Sequence, residues 1–312
     1  MKNLFSLLLS FAFIVMIKPV QAQTSTELNN QGLVKYNSKD YAGAIVDVNK
    51  AIALNAQNEK AYHNRGLAKY SLKDNDGAIA DFNKAIELNP TYANAYNDRG
   101  LIKYRLKNYD AALQDYNKAI ELNTTYVLAY YNRGLVRSVL KDYAGAIKDF
   151  SSSLELKPGN AEAYTGRGNA KVTQKDYAGA IQDFSKAIEL NPASAVAFLG
   201  RGNARFTLKD NNGALQDFNK VITLQPTNSN VYFNVGVIYG NENKSQEAIR
   251  AFRQYSALEP AEWHGYKNTA DIYYLQLANP DSSALYYGKA FQLKKDDKEI
   301  TVVVAIDMGG VF

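Results

Sequence analysis

A spacing of 34 residues governs this chain. Glycines fall on it seven times without a break, at Gly32, Gly66, Gly100, Gly134, Gly168, Gly202 and Gly236. Alanines keep step at Ala44, Ala78, Ala112, Ala146, Ala180, Ala214 and Ala248. A fixed period of this size marks a stacked-repeat architecture, in which each copy of one supersecondary unit covers the apolar face of its neighbour. The 312 residues would otherwise suggest about two domains. A stack instead grows lengthwise without splitting its core, and it acts through an extended surface more often than through a catalytic pocket.

Residues 59–92 show what one repeat contains. Tyr62, Gly66, Leu67 and Tyr70 recur at helical spacing, as do Ala78, Phe82, Ala85, Ile86 and Leu88. Lys73-Asp74-Asn75-Asp76-Gly77 reads as the turn between them. Asn89-Pro90 closes the second run, because the residue before a proline resists the helical region. Each repeat is therefore expected to be an antiparallel helix pair. Gly66 would face Ala78 and Ala85 so that the backbones approach, with Tyr62 and Phe82 on either side. Seven repeats then occupy 25–58, 59–92, 93–126, 127–160, 161–194, 195–228 and 229–262. A degraded eighth follows at 263–297, loosened around Asn279-Pro280-Asp281.

The order of an aromatic (Tyr62), a glycine four later (Gly66), then Ala78, Phe82, Ala85 and Pro90 resembles the tetratricopeptide repeat family, and the likeness extends over residues 25–262. The resemblance implies an all-α, right-handed superhelical solenoid of stacked antiparallel helix pairs. It also implies that the first helices line a concave groove holding a protein or peptide partner. Carried onto this chain, the groove positions are Tyr36, His63, Asn64, Leu67, Tyr70, Asn97, Leu101, Tyr104, Tyr131, Asn132, Asn169, Asn203, Phe206, Phe233 and Asn234. Asn30, Asn64, Asn132 and Asn234 match the family's backbone-binding asparagine; Asp98 replaces it once, and Gly166 and Gly200 leave the place empty. Tyrosines and leucines supply apolar contact, and asparagine amides bond a peptide backbone in both directions. The competing account is that these residues only solvate an exposed face. One subtype of the family clamps a carboxyl terminus with lysines and an arginine. Those places hold His63, Asn97, Asn94 and Tyr131 here, so that ligand is not implied.

A second series departs from the family pattern. Arg65, Arg99, Arg133, Arg167 and Arg201 precede the glycines, and Lys69, Lys103, Arg137, Lys171 and Arg205 follow three residues after them. Asp81, Asp115, Asp149, Asp183 and Asp217 stand just before the second-helix aromatic. The basic residues are four apart and share a helix face. The seventh repeat has Val235, Tyr239 and Ala251 at the three places, so the set turns apolar together. That joint loss points to a paired, partly buried structural cluster and not to a track for acidic ligands, since one buried charge without the others would be costly. Pairing within a repeat and pairing across to the next both fit the spacing.

The remaining signals bound the function. Residues 1–22 read as a cleaved export leader: Lys2, an apolar run over Leu4–Ile17, then Val20-Gln21-Ala22. The expected setting is the periplasm or the medium, with no membrane span after cleavage. Without Lys2 and Lys18 the net charge of +5 becomes +3, too small and scattered for a nucleic-acid footprint. There is no cysteine, hence no disulfide or thiolate metal site, and no metal or cofactor is expected. The two histidines, His63 and His264, are repeats apart, and no catalytic constellation appears. A non-enzymatic interaction scaffold is the favoured reading. The alternative is a self-assembling envelope protein that uses its aromatic end, where Phe233, Tyr255, Trp263, Tyr266, Tyr273 and Tyr274 gather, and the strand-like tail 298–312.

Overall fold

The computed structural model describes residues 23–294, and the leader and tail lie outside them. Among the described residues there are sixteen helices and no strand. The first helices of the repeats are α1 (Ser25–Asn37), α3 (Glu59–Ser71), α5 (Ala93–Arg105), α7 (Val127–Val139), α9 (Ala161–Thr173), α11 (Ala195–Thr207), α13 (Ser229–Asn241) and α15 (His264–Leu275). The second helices are α2 (Tyr41–Leu54), α4 (Asn75–Leu88), α6 (Tyr109–Leu122), α8 (Tyr143–Leu156), α10 (Tyr177–Leu190), α12 (Asn211–Leu224), α14 (Ser245–Leu258) and α16 (Pro280–Leu293). The chain divides into two compact bodies between Ile102 and Lys103, within α5. In each, consecutive helices pack as antiparallel pairs, giving the all-α, solenoid-type repeat architecture.

The link inside each pair is shorter than its composition suggests. In the second repeat only Leu72, Lys73 and Asp74 lie outside helix; Asn75, Asp76 and Gly77 are the first turn of α4, which corrects the expected turn segment. Asp74 is the N-cap, its carboxylate accepting the Gly77 N–H at 2.9 Å. A side chain on Gly77 would run into that carboxylate. The third repeat has alanine there, and its N-cap bond, Ala111 N–H to Asn108, stretches to 3.4 Å. The preceding lysine takes the left-handed conformation in six successive repeats, from Lys39 at φ 67° to Lys209 at φ 64°. It closes the first helix with paired bonds: Lys73 N–H to Tyr70 O at 2.9 Å and Asp74 N–H to Lys69 O at 3.0 Å.

The first-helix glycines Gly66, Gly134, Gly168, Gly202 and Gly236 each meet a phenylalanine ring, while Gly32 meets Val48. A Cβ on Gly66 would lie 2.7 Å from Phe82 Cε1, so the expected opposition to Ala78 and Ala85 is corrected: Phe82 reaches across beneath the glycine. Phe82 and Ala78 form one core cluster with Ile102, and Phe150, Phe184 and Phe218 repeat the role as fully buried side chains. Each such ring contributes about 1.5–3 kcal/mol by burial. Tyr62 is half-exposed, and the buried residues beside it are Ala61 and Ala68.

Asn279-Pro280 begins a helix and does not loosen one. Asn279 accepts the Ser282 N–H at 3.0 Å and Pro280 occupies the first turn, where a missing N–H costs nothing. Most of the terminal aromatics are used internally: Phe233 packs on Phe252, Tyr255 and His264, Trp263 stacks on His264, and Tyr273 stacks on Tyr286.

Candidate functional site

In the first body the predicted groove residues divide into two sorts. Tyr36, Asn64, Leu67, Tyr70 and Leu101 are half-buried and present part of their surface. His63 and Asn97 are only 6% and 3% exposed, so they offer no open face, and that expectation is corrected. Asp98 of α5 engages both, His63 from the neighbouring first helix and Asn97 from its own. His63 Nε2 lies 2.8 Å from Asp98 Oδ2 and Nδ1 lies 3.3 Å from the Tyr92 hydroxyl, while Asn97 donates to Asp98 Oδ1 at 2.9 Å. Burial pushes the Tyr92 phenol up to about 12, with the Asp98 and Glu59 charges adding to it. Asn64 is likewise engaged, donating to Asn29 at 2.9 Å.

In the second body the first helices form a depression. Tyr131 and Leu135 of α7, Thr165 and Asn169 of α9, and Val196 of α11 line a cavity of about 310 Å³. Tyr131 rests at a tilt on Phe150, and burial together with the Glu162 charge raises its phenol pKa, which keeps it a hydrogen-bond donor. Asn169 is exposed, and Glu162, Asn191 and Ser194 complete the lip. Helix phase did not point to Asn191 and Ser194, because they lie in or beside the α10–α11 link. Gly166, taken from spacing as an empty place, also lines the depression. A Cβ there would lie 2.7 Å from Phe150 Cζ, so the ring packs against the bare backbone at this place. The other predicted positions surround this centre less closely. Tyr104 and Asn132 are half-buried; Phe206 packs into the core of α11–α14 and Phe233 into that around α14; Asn203 is exposed and accepts from Asn234 at 3.0 Å.

The charged series resolves into structural clusters. Asp149, 1% exposed, accepts two bonds from Arg133 (Nε 2.9 Å, Nη2 2.6 Å) and one from Arg137 at 2.9 Å. Asp81 with Arg65 and Lys69, Asp183 with Arg167 and Lys171, and Asp217 with Arg201 and Arg205 repeat the arrangement. Lys103 holds Asp115 at 2.8 Å. These aspartates pair within their own repeat. The arginine's remaining nitrogen reaches the preceding second helix: Arg65 to Asn49, Arg99 to Asn83, Arg133 to Asn117, Arg167 to Ser151 and Arg201 to Ser185, at 2.6–3.0 Å. Sequence reading missed those acceptors, although they too fall on the 34-residue period. Each guanidinium also lies over the aromatic three residues earlier, for example Arg65 5.3 Å from the Tyr62 ring centroid, an arrangement worth about 0.5–1 kcal/mol at such sites. Among the described residues no group of acidic or histidine side chains could hold a metal ion, and no helix is long and apolar enough to cross a membrane.

A family model described as TPR repeat matches residues 66–107 and 100–138, and models of the tetratricopeptide repeat match 127–160, 161–194 and 218–250. The chain carries tetratricopeptide repeats. No curated protein matches it. Among solved structures, YrrB, described as a TPR protein with an unusual peptide-binding site, is similar at a TM-score of 0.53 and 26% identity, over 57% of this chain and 92% of that one. A tetratricopeptide repeat protein from Parabacteroides merdae aligns over 92% of this chain and 100% of its own, at 20% identity and a TM-score of 0.55. PilF of Pseudomonas aeruginosa aligns over 65% and 92%, at 20% identity and a TM-score of 0.60. These last two show the fold alone. Proteins with this repeat are generally interaction scaffolds that bind proteins or peptides, and the family is generally non-catalytic.

Proposed function

We propose that this chain is a non-enzymatic scaffold that holds an extended peptide segment of a protein partner across α7, α9 and α11. The observation that carries this reading is the depression lined by Tyr131, Leu135, Thr165 and Asn169, where apolar floor and amide-bearing lip meet. An apolar side chain fits the floor, and the peptide backbone bonds to Asn169 and Asn191. The unusual peptide-binding site described for YrrB, which shares the fold, supports the reading that a surface of this kind takes a peptide. The leader-like pattern in residues 1–22 supports an encounter outside the cytoplasm, in the periplasm or the medium.

The test is selection from a displayed peptide library on the purified protein, followed by fluorescence anisotropy of the enriched peptide. Tyr131→Ala with Asn169→Ala is expected to weaken binding at least about tenfold per lost contact, with helix content intact. Unchanged affinity in the double variant would place the peptide elsewhere. Export is tested separately, by mass spectrometry of the mature amino terminus, expected near Gln23.

A further inference from the structure

A cavity of about 480 Å³ opens on a different stripe of α13 from the one bearing Phe233 and Asn234. Its floor is Tyr232, Val235 and Tyr239, spaced three and four apart on one helix face, together with Ile222 and Ala251. The opening comes from the change of residues within the repeat. In the second to sixth repeats the place of Val235 holds an arginine, whose guanidinium lies 5.3–5.6 Å from the ring centroid three residues earlier. The place of Ala251 holds an aspartate there. Here the ring persists as Tyr232, anchored by its hydroxyl to Pro226 O at 3.1 Å. The cation and the carboxylate have both given way to smaller apolar side chains, and a ring face looks onto open space.

The rim supplies charge of both signs. Arg250 and Glu247 are three residues apart on α14, both exposed, and neither side chain makes a hydrogen bond or ion pair among the described residues. Glu247 adds only a field at Lys244. A simple apolar anion in the cavity would sit beside the Glu247 carboxylate, and a simple cation beside the Arg250 guanidinium. A zwitterion uses both. The volume falls within the roughly 300–1,000 Å³ typical of small-molecule sites.

From this geometry we infer that the cavity binds a free α-amino acid with an aromatic or branched apolar side chain. Its side chain lies on Tyr232, its carboxylate meets Arg250 and its ammonium meets Glu247. This site is separate from the peptide depression and does not depend on it.

Titration calorimetry of the purified protein with L-phenylalanine, L-phenylalaninamide and phenylacetate tests the inference. Phenylalanine is expected to bind, with the amide and the deaminated acid each weaker by about tenfold or more. Arg250→Gln, on an exposed position, is expected to weaken phenylalanine about tenfold and to leave its amide unaffected. Refilling the cavity with the residues of the sister repeats, Val235→Arg with Ala251→Asp, is expected to abolish binding at unchanged helix content, as is Ala251→Leu. Absence of phenylalanine binding at millimolar concentration overturns the inference. So does equal binding of the three probes, indifference to Arg250→Gln, or undiminished binding by a folded refilled variant.

Discussion

The aspartates of the charge clusters cannot be judged one at a time. Asp149 takes three bonds from two cations, so removing it strands Arg133 and Arg137 against a packed interface. Asp149→Ala is expected to cost about 3–5 kcal/mol in urea denaturation. Transplanting the seventh repeat's trio, as Arg133→Val, Arg137→Tyr and Asp149→Ala together, is expected to be neutral or stabilising. Losses that simply add would mean the three do not act as a unit. Tyr92 provides a second residue-scale test. Its phenol is held at about 12 against an ordinary 10.0, so the folded state favours the neutral form. That contribution to stability is complete below pH 10 and disappears as the pH rises through about 12. In absorbance titrations at 295 nm, subtracting a Tyr92→Phe variant should isolate a step near the upper value; a step near the lower one contradicts the buried network with His63 and Asp98.

For the helical elements, most of the stop and start information sits in two adjacent residues. A left-handed lysine ends each first helix, and an aspartate or asparagine begins the next in the first six repeats. A β-carbon makes the left-handed region unfavourable by about 1–2 kcal/mol, so the bonded closure and the cap must offset it. Asp142→Ala removes the bond to Gly145 N–H and is expected to cost about 1 kcal/mol, read as a lower thermal midpoint. No loss of stability would show that the link is held by packing alone. The period located the helix pairs, and the turn residues marked the links. What it misplaced were the link's end and the glycine's partner. Asp-x-x-Gly resembles a loop in composition, and the reach of Phe82 beneath Gly66 depends on the crossing of two helices.

Within each of the two bodies, each repeat leans on its neighbours, and stability in such arrays is approximately a sum of local and nearest-neighbour contributions. Helix α15 covers Ile249, Phe252 and Tyr255 of α14, and α16 packs in turn on α15. Ending the chain at Glu262 is therefore expected to lower the melting temperature and raise binding of a hydrophobic dye, while amide exchange in α7–α10 changes little. Uniform loss of protection along the chain would refute nearest-neighbour behaviour. At this scale the sequence by itself determined the helix pairs, their repetition and the joint rise and fall of the three charged positions, because these are periodic properties of a one-dimensional pattern. Only tertiary structure decided that Asp98 of the adjacent first helix engages His63, that Asn97 is buried, that the aspartates pair within their own repeat while the arginines reach back to the preceding one, and that Gly166 packs on the Phe150 ring. Those outcomes depend on how far one helix pair is rotated against the next, and no spacing along the chain encodes that angle.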